Sequence, residues 1–146
     1  MFSHRGRTVI MRKLLLVAVA FLTVPLTVLG HHSFAAEFDA NKPLVLKGTI
    51  TKVDLVNPHA WLYMNVTDSD GKVVNWAIEM GSPNALIRRG ITRNTVPIGA
   101  ELTVEGFAAK DGSATANGRT LRMADGRALF AGSSNTGAPG DPRPTP

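Results

Sequence analysis

Apolar and polar side chains alternate over several short segments of this chain, a period of two that is typical of half-buried β-strands. The alternation is regular from Leu44 to Ile50, and its phase changes at Val53, which predicts a β-bulge in the first strand. The predicted strands are Leu44 to Val53, Ala60 to Thr67, Lys72 to Met80, a fourth that opens at Gly99, and a last hairpin of Arg119 to Met123 with Arg127 to Phe130. The polar segment Lys110 to Asn117 is predicted as a loop. The chain is therefore predicted to be mainly β.

One short helix is predicted between the third and fourth strands. Ser82 suits the N-cap, Pro83 suits the first helical position, and Gly90 suits a left-handed exit. This order of elements is that of a small OB-like antiparallel barrel, with another small barrel or a sandwich as the alternative. The predicted core comprises Leu46, Ile50, Leu62, Met64, Val66, Ile78, Leu102 and Val104, with Leu86 from the helix.

Residues 1–30 have the pattern of a secretory signal peptide. A basic start at residues 11–13 precedes the uncharged residues 14–29, and the small residue Gly30 suits the cleavage position. We expect Met11 to be the true start and the mature protein to be periplasmic or secreted. An uncleaved N-terminal anchor is the alternative.

The charge and the cysteine content exclude several classes of partner and of covalent attachment for the mature protein. The 146 residues carry 16 basic and 11 acidic side chains, a formal net charge of +5. Four of the basic residues and none of the acidic ones lie in residues 1–30, so residues 31–146 have a net charge of only +1. We therefore expect no nucleic-acid partner. Because the chain has no cysteine, it has no thiolate ligand, no disulfide and no lipid anchor of the bacterial lipoprotein type.

The C-terminal segment differs in composition from the rest. Residues Ser133 to Pro146 are rich in proline and glycine, and apart from proline they contain no apolar side chain larger than alanine. Such a segment cannot bury enough surface to offset its ordering entropy, so we predict a disordered tail. The folded domain is then 31–132, and we expect a monomer.

Three segments carry a resemblance to a known family. They are HHSFAAEFD at 31–39, NPHAW at 57–61 and EMGSPNALIRRG at 79–90. Together they resemble a family of small exported bacterial proteins that is classed only as a domain of unknown function. The resemblance implies export and an OB-like barrel, and it implies no catalytic residues.

Three histidines of the mature chain are candidate metal ligands. If cleavage follows Gly30, the α-amine and imidazole of His31 can chelate one ion together with the imidazole of His59, a nitrogen set that favours copper over zinc. Adjacent residues of an extended chain point in opposite directions, so only one of His31 and His32 is expected to share an ion with His59. In the alternative interpretation the pair is a solvated arm and His59 bonds to a loop carbonyl. Soft thioether ligands are available at Met64, Met80 and Met123, which also fit as core residues.

The candidate working surface combines the N-terminal arm, the loop of Asn57 to Trp61 and the turn of Glu79 to Asn84, and in the more specific form of the hypothesis its ligand is copper. The candidate ligand-binding residues are Trp61, Tyr63, Glu79 and Asn84. Trp61 and Tyr63 lie on the predicted second strand, and Trp76 lies on the third. Exposed aromatic residues on these strands bind sugars or bases in OB-folds. The alternative places Trp76 in the core and packs Trp61 under the arm, against Phe34 or Phe38.

No enzyme signature is present: the chain has no G-x-S-x-G, no H-E-x-x-H and no phosphate-binding loop. We therefore expect an exported, non-enzymatic binding or accessory module of the cell envelope, with copper as its candidate cofactor. The alternative is a structural or protein-interaction domain that uses an aromatic face and binds no metal. A small copper-dependent redox enzyme is a third hypothesis.

Overall fold

The computed structural model describes residues 34–133 together with residues 138 and 139. The predicted signal peptide, His31 and His32 lie outside the described residues, as does most of the predicted tail. The elements are α1 (Phe34–Glu37), β1 (Phe38–Asp54), β2 (Trp61–Thr67), β3 (Val73–Glu79), α2 (Pro83–Arg88), β4 (Glu101–Ala109), β5 (Thr115–Met123) and β6 (Ala128–Phe130). Within this described part, neither helix is long and apolar enough to cross a membrane.

The strands form a closed ring. Their order in the sheet is β3-β2-β1-β4-β5-β6, and neighbours in this order are antiparallel. Strands β3 and β5 also pair in parallel, with Ala77 opposite Thr115 and Glu79 opposite Asn117. This pairing joins β1 to β5 into a ring and leaves β6 as an added strand on β5. The described chain is mainly β, as its alternation predicts.

The structure corrects the predicted loop from Lys110 to Asn117. Only residues 110–114 connect the strands, because β5 already begins at Thr115. The first residues of β5 pair with β3 on one side and with β4 on the other. Their small and polar side chains lack the alternation that predicts a strand. These residues form a strand because they pair with parts of the chain that are distant in sequence.

Glycines allow the strands to meet where the ring closes. A Cβ atom at Gly106 would lie 2.1 Å from the backbone oxygen of Asn117, and one at Gly118 would lie 2.7 Å from the Cγ2 atom of Ile78. The register between β4 and β5 shifts at this point, between Glu105 and Gly106. A larger residue at either glycine would separate the strands.

Two predicted local features are confirmed. The register of β1 against β2 shifts between Ile50 and Lys52, where the sequence predicts a bulge. Helix α2 begins at Pro83, and Gly90 has a φ of +85° just after the helix, as predicted. The predicted cap by the Ser82 side chain is wrong, because Ser82 occupies the N-cap position but its side chain makes no capping hydrogen bond. Strand β1 is longer than predicted, because it begins at Phe38.

The main core lies within the ring and contains all the residues predicted for it. Of these, Val66 is only half-buried and lies at the edge of the core. Trp76 also packs against this core, as one interpretation of the sequence expects. Helix α2 contributes the fully buried Leu86.

A second, smaller cluster holds the N-terminal arm. It contains Phe34, Phe38 and Ala109, with Phe107 packed against them. The sequence interpretation that packs Trp61 against these phenylalanines is wrong for the described residues, because Phe107 has that role. The reason is that Phe38 pairs with Ala109, which draws the arm toward β4 rather than β2.

Candidate functional site

Four residues lie in register across neighbouring strands of the ring. Trp61 on β2 is opposite Glu79 on β3, Glu79 is opposite Asn117 on β5, and Asn117 is opposite Phe107 on β4. The core residues next to the first three along their strands are Leu62, Ile78 and Ala116. Because side chains alternate along a strand, these three face away from the main core, and Phe107 packs against the second cluster. We call Trp61, Glu79, Asn117 and Phe107 the outer row.

His59 is bound to the outer row through Glu79. Its Nδ1 atom lies 2.8 Å from Oε1 of Glu79, and the two side chains are 18% and 9% exposed. The loop that carries His59 is attached to the end of β3 by backbone hydrogen bonds, since Ala60 N donates to the carbonyl of Gly81 and Met80 N donates to the carbonyl of Ala60. These bonds hold the imidazole over the carboxyl group.

Glu79 has an altered acidity in this position. Burial, together with the nearby negative charge of Glu37 on α1, raises the pKa of the Glu79 carboxyl group to about 7. A carboxyl group with this pKa changes charge near neutral pH, whereas an exposed one is already ionised there. The charge of Glu79, in contact with His59, therefore changes in the neutral pH range.

Asn117 contributes a buried side-chain oxygen to the outer row that accepts no hydrogen bond from the described residues. Its side chain is buried, with 3% of the residue exposed, and its Oδ1 atom has no hydrogen-bond partner among the described residues. Buried polar atoms are normally hydrogen-bonded. Asn117 is therefore a polar group that the packing of the described residues does not satisfy.

Helix α1 lies at the Phe107 end of the outer row. The rings of Phe34 and Phe107 meet edge to face, with centroids 5.3 Å apart. Lys110 fixes the same helix twice, because its backbone N donates to the carbonyl of Glu37 at 2.9 Å and its Nζ donates to the carbonyl of Ala35 at 2.5 Å. Helix α1 is therefore held beside Phe107 by ring packing and by two hydrogen bonds from Lys110.

The structure brings together some of the predicted site residues. Trp61 and Glu79 belong to the outer row, Tyr63 is half-buried on β2 with Lys52 Nζ 5.2 Å from its ring centroid, and Asn84 is exposed on α2. Of the predicted metal ligands, His59 is placed beside Glu79, and His31 and His32 lie outside the described residues. Within the part of the chain that the structure describes, no three His, Asp or Glu side chains form a group that could hold a metal ion.

The candidate methionine ligands have a structural role in the described chain. Met64 and Met80 are fully buried in the main core, and Met123 packs against it half-buried. This is the role that the sequence also allowed for them.

Sequence reasoning missed Asn117 and Phe107 as members of the site. Asn117 falls in the segment predicted as a loop, and Phe107 follows the glycine of the register shift between β4 and β5. No local pattern points to either residue, because both reach the outer row through strand pairing.

Comparison with known proteins identifies the family. A family model described as "Family of unknown function (DUF6152)" matches residues 19–118. The chain belongs to this family. The match includes β1 to β4, His59 and all four residues of the outer row. No curated protein and no solved structure matches the chain.

Proposed function

We propose that this chain is an exported, non-enzymatic binding or accessory module of the cell envelope whose binding site is centred on His59. The observation that carries the proposal is the 2.8 Å contact between Nδ1 of His59 and Oε1 of Glu79. Above its pKa of about 7, Glu79 is a carboxylate that can accept a hydrogen bond from one imidazole nitrogen. Such a bond fixes the tautomer and directs the other nitrogen to a metal. His59 is therefore the residue that the geometry favours as a ligand.

The metal that this site favours is copper, bound by His59 together with the start of the processed chain. Cleavage after Gly30 would give His31 a free α-amine, and three residues of extended chain span about 10 Å from His31 to α1. Helix α1 lies over Phe107 at one end of the outer row, and the charge of Glu37 acts on Glu79. An amine and two imidazole nitrogens form a ligand set that suits Cu(II). His32 would take the place of His31 if the chain turned the other way.

We also propose that the ring is an OB-like barrel with one short helix between its third and fourth strands. The support is the pairing order, in which β1 contacts β2 and β4, and β3 contacts β2 and β5. The domain would then extend over residues 31–132.

The test is calorimetry with Cu(II) on the protein that begins at His31. We expect one ion per chain, and a weaker affinity when one residue is added before His31, since the added residue removes the terminal amine from the chelate. His59→Ala should also weaken binding, and Asn57→Ala, in the same loop, should leave it unchanged. Equal affinities for the native and extended forms would rule out the terminal-amine chelate.

Glu79→Gln provides a second test of the same geometry. Loss of a carboxylate that orients a ligating histidine typically lowers metal affinity about 10- to 100-fold. Glu101→Gln is the matched control, since Glu101 is exposed on β4. If Glu79→Gln has the same Cu(II) affinity as the unmodified chain, the contact between His59 and Glu79 does not contribute to metal binding.

The second candidate function is protein interaction through the aromatic residues of β2. Trp61 and Tyr63 are both half-buried and lie on the same face of the strand. Aromatic side chains of this kind are enriched in protein interfaces. If the processed chain does not bind Cu(II), this function becomes the preferred one.

A further inference from the structure

An apolar groove is lined by residues of β1, β4, β5 and β6. It has a volume of about 420 Å³. Its apolar lining comes from Pro43, Leu44, Val45, Phe107, Phe130 and Pro139. Pro139 belongs to the C-terminal segment, so the groove is lined in part by the tail of the same chain.

The described part of the tail is already seated on the ring. Ala138 is buried, with 5% of the residue exposed, in the cluster of Phe34, Phe38 and Ala109. Pro139 follows directly and lies at the groove. The chain therefore enters the groove region at residue 139, and seven residues, 140–146, continue from there.

We propose that the groove is the docking site of residues 140–146, which act as a proline-rich ligand within the same chain. Their sequence is GDPRPTP, with proline at every second position from 142 to the end. Proline-rich segments adopt an extended helix that needs little further ordering, and they dock in grooves lined by aromatic residues. At about 3.1 Å per residue, seven residues span about 22 Å.

The walls of the groove are suited to such a segment. Val45 is 69% exposed, a large apolar surface that a docked segment would cover. Two guanidinium groups contact the ring of Phe130, with Cζ of Arg89 4.7 Å and Cζ of Arg119 4.8 Å from its centroid. A wall that is fixed before docking lowers the entropy that binding must overcome.

Neither residues 140–146 nor the groove lining carries a net charge, and Glu105 of the lining is already paired with Arg122. Residues 140–146 contain one acid, Asp141, and one base, Arg143. The groove is likewise lined by one base and one acid, Arg119 and Glu105. The groove shares Phe107 with the outer row, but its lining includes neither His59 nor Glu79, so this inference does not rest on copper binding.

A spin label at the end of the tail tests the proposal in the full-length chain. The chain has no cysteine, so Thr145→Cys creates a single attachment site for a nitroxide. We expect the label to broaden the amide signals of Val45, Gly106 and Thr120 at least twofold more than those of Val73 and Ile98. Equal broadening at both sets, or none at the groove, would overturn the proposal.

A mixing experiment separates docking within one chain from docking between two copies. Spin-labelled protein without ¹⁵N is mixed with ¹⁵N-labelled protein that lacks the spin label. Docking within one chain predicts no broadening at Val45 in the mixture. Broadening there would show that the groove takes the tail of a second copy, which contradicts the proposal.

A charged residue in the groove provides the matched comparison. Val45→Asp should reduce the broadening at Gly106 and Thr120 at least twofold, because it places a desolvated charge against the prolines. Val73→Asp makes the same change at a valine that is 57% exposed on β3 and should have no effect. If Val45→Asp folds and leaves the broadening unchanged, the groove is not the docking site.

Discussion

Glu79 on β3 and Asn117 on β5 lie opposite each other in the parallel strand pair that closes the ring. This relationship places a buried carboxyl group, whose pKa is about 7, beside a buried amide oxygen that has no partner among the described residues. His59 joins the pair through the Oε1 atom of Glu79. Ring closure and the candidate site therefore depend on the same few residues, because Asn117 takes part in both.

Leu102→Ala tests the main core. Leu102 is 3% exposed within the ring, so its truncation should reduce the free energy of unfolding by about 2–5 kcal/mol. Val73→Ala removes atoms from an exposed valine and should change it by less than about 0.5 kcal/mol. Denaturant melts of both variants give the comparison. A loss below about 0.5 kcal/mol in Leu102→Ala would contradict the described core.

The raised pKa of Glu79 predicts how stability depends on pH. Between the ordinary glutamate pKa, near 4.5, and about 7, the unfolded chain has an ionised Glu79 while the folded chain keeps the proton. The folded state then binds more protons, so the contribution of Glu79 to stability falls as pH rises through this window and is constant above it. Glu79→Gln should flatten this fall in denaturant melts taken from pH 4 to pH 8. A steeper fall in the variant would contradict the direction of the shift.

Asn117→Leu tests the unsatisfied amide oxygen. A leucine of similar size removes a buried acceptor that has no partner among the described residues, so stability should stay the same or rise by about 1 kcal/mol. Asn75→Leu is the contrasting variant, because it removes hydrogen bonds from Nδ2 to Asn65 and Thr51. Thermal melts measure both. A loss of more than about 2 kcal/mol in Asn117→Leu would show that Oδ1 has a stabilising partner.

Phe34→Ala tests the attachment of the N-terminal arm. Phe34 is 4% exposed and packs on Phe38 and Phe107, so its loss should release α1 without unfolding the ring. The amide of Lys110, which donates to the carbonyl of Glu37, should then exchange with solvent faster. The amide of Ile50, which donates to the carbonyl of Ala100, is the internal control. Equal acceleration at both amides would indicate global destabilisation rather than release of the arm.

Local patterns in the sequence were sufficient to predict the β-rich fold class, most strand positions and the residues of the core. Alternation places Leu62 and Met64 inside the ring and Trp61 and Tyr63 outside it, because a two-residue period is a property of the strand itself. The bulge after Ile50 follows from a change of phase, and the helix after Ser82 follows from Pro83 at its first turn and Gly90 at its exit. Each of these features depends on residues that are close together in the chain.

The start of β5, the direction of the N-terminal arm and the composition of the site were decided by the tertiary structure alone, because they depend on pairing between distant segments. Thr115 to Asn117 look like a loop because their side chains are small or polar, and they become a strand only between β3 and β4. The arm turns toward Phe107 rather than Trp61 because Phe38 pairs with Ala109. His59, Glu79 and Asn117 come from three separate segments, and no local period connects them. Closure of the ring brings these segments together, and with them the candidate site.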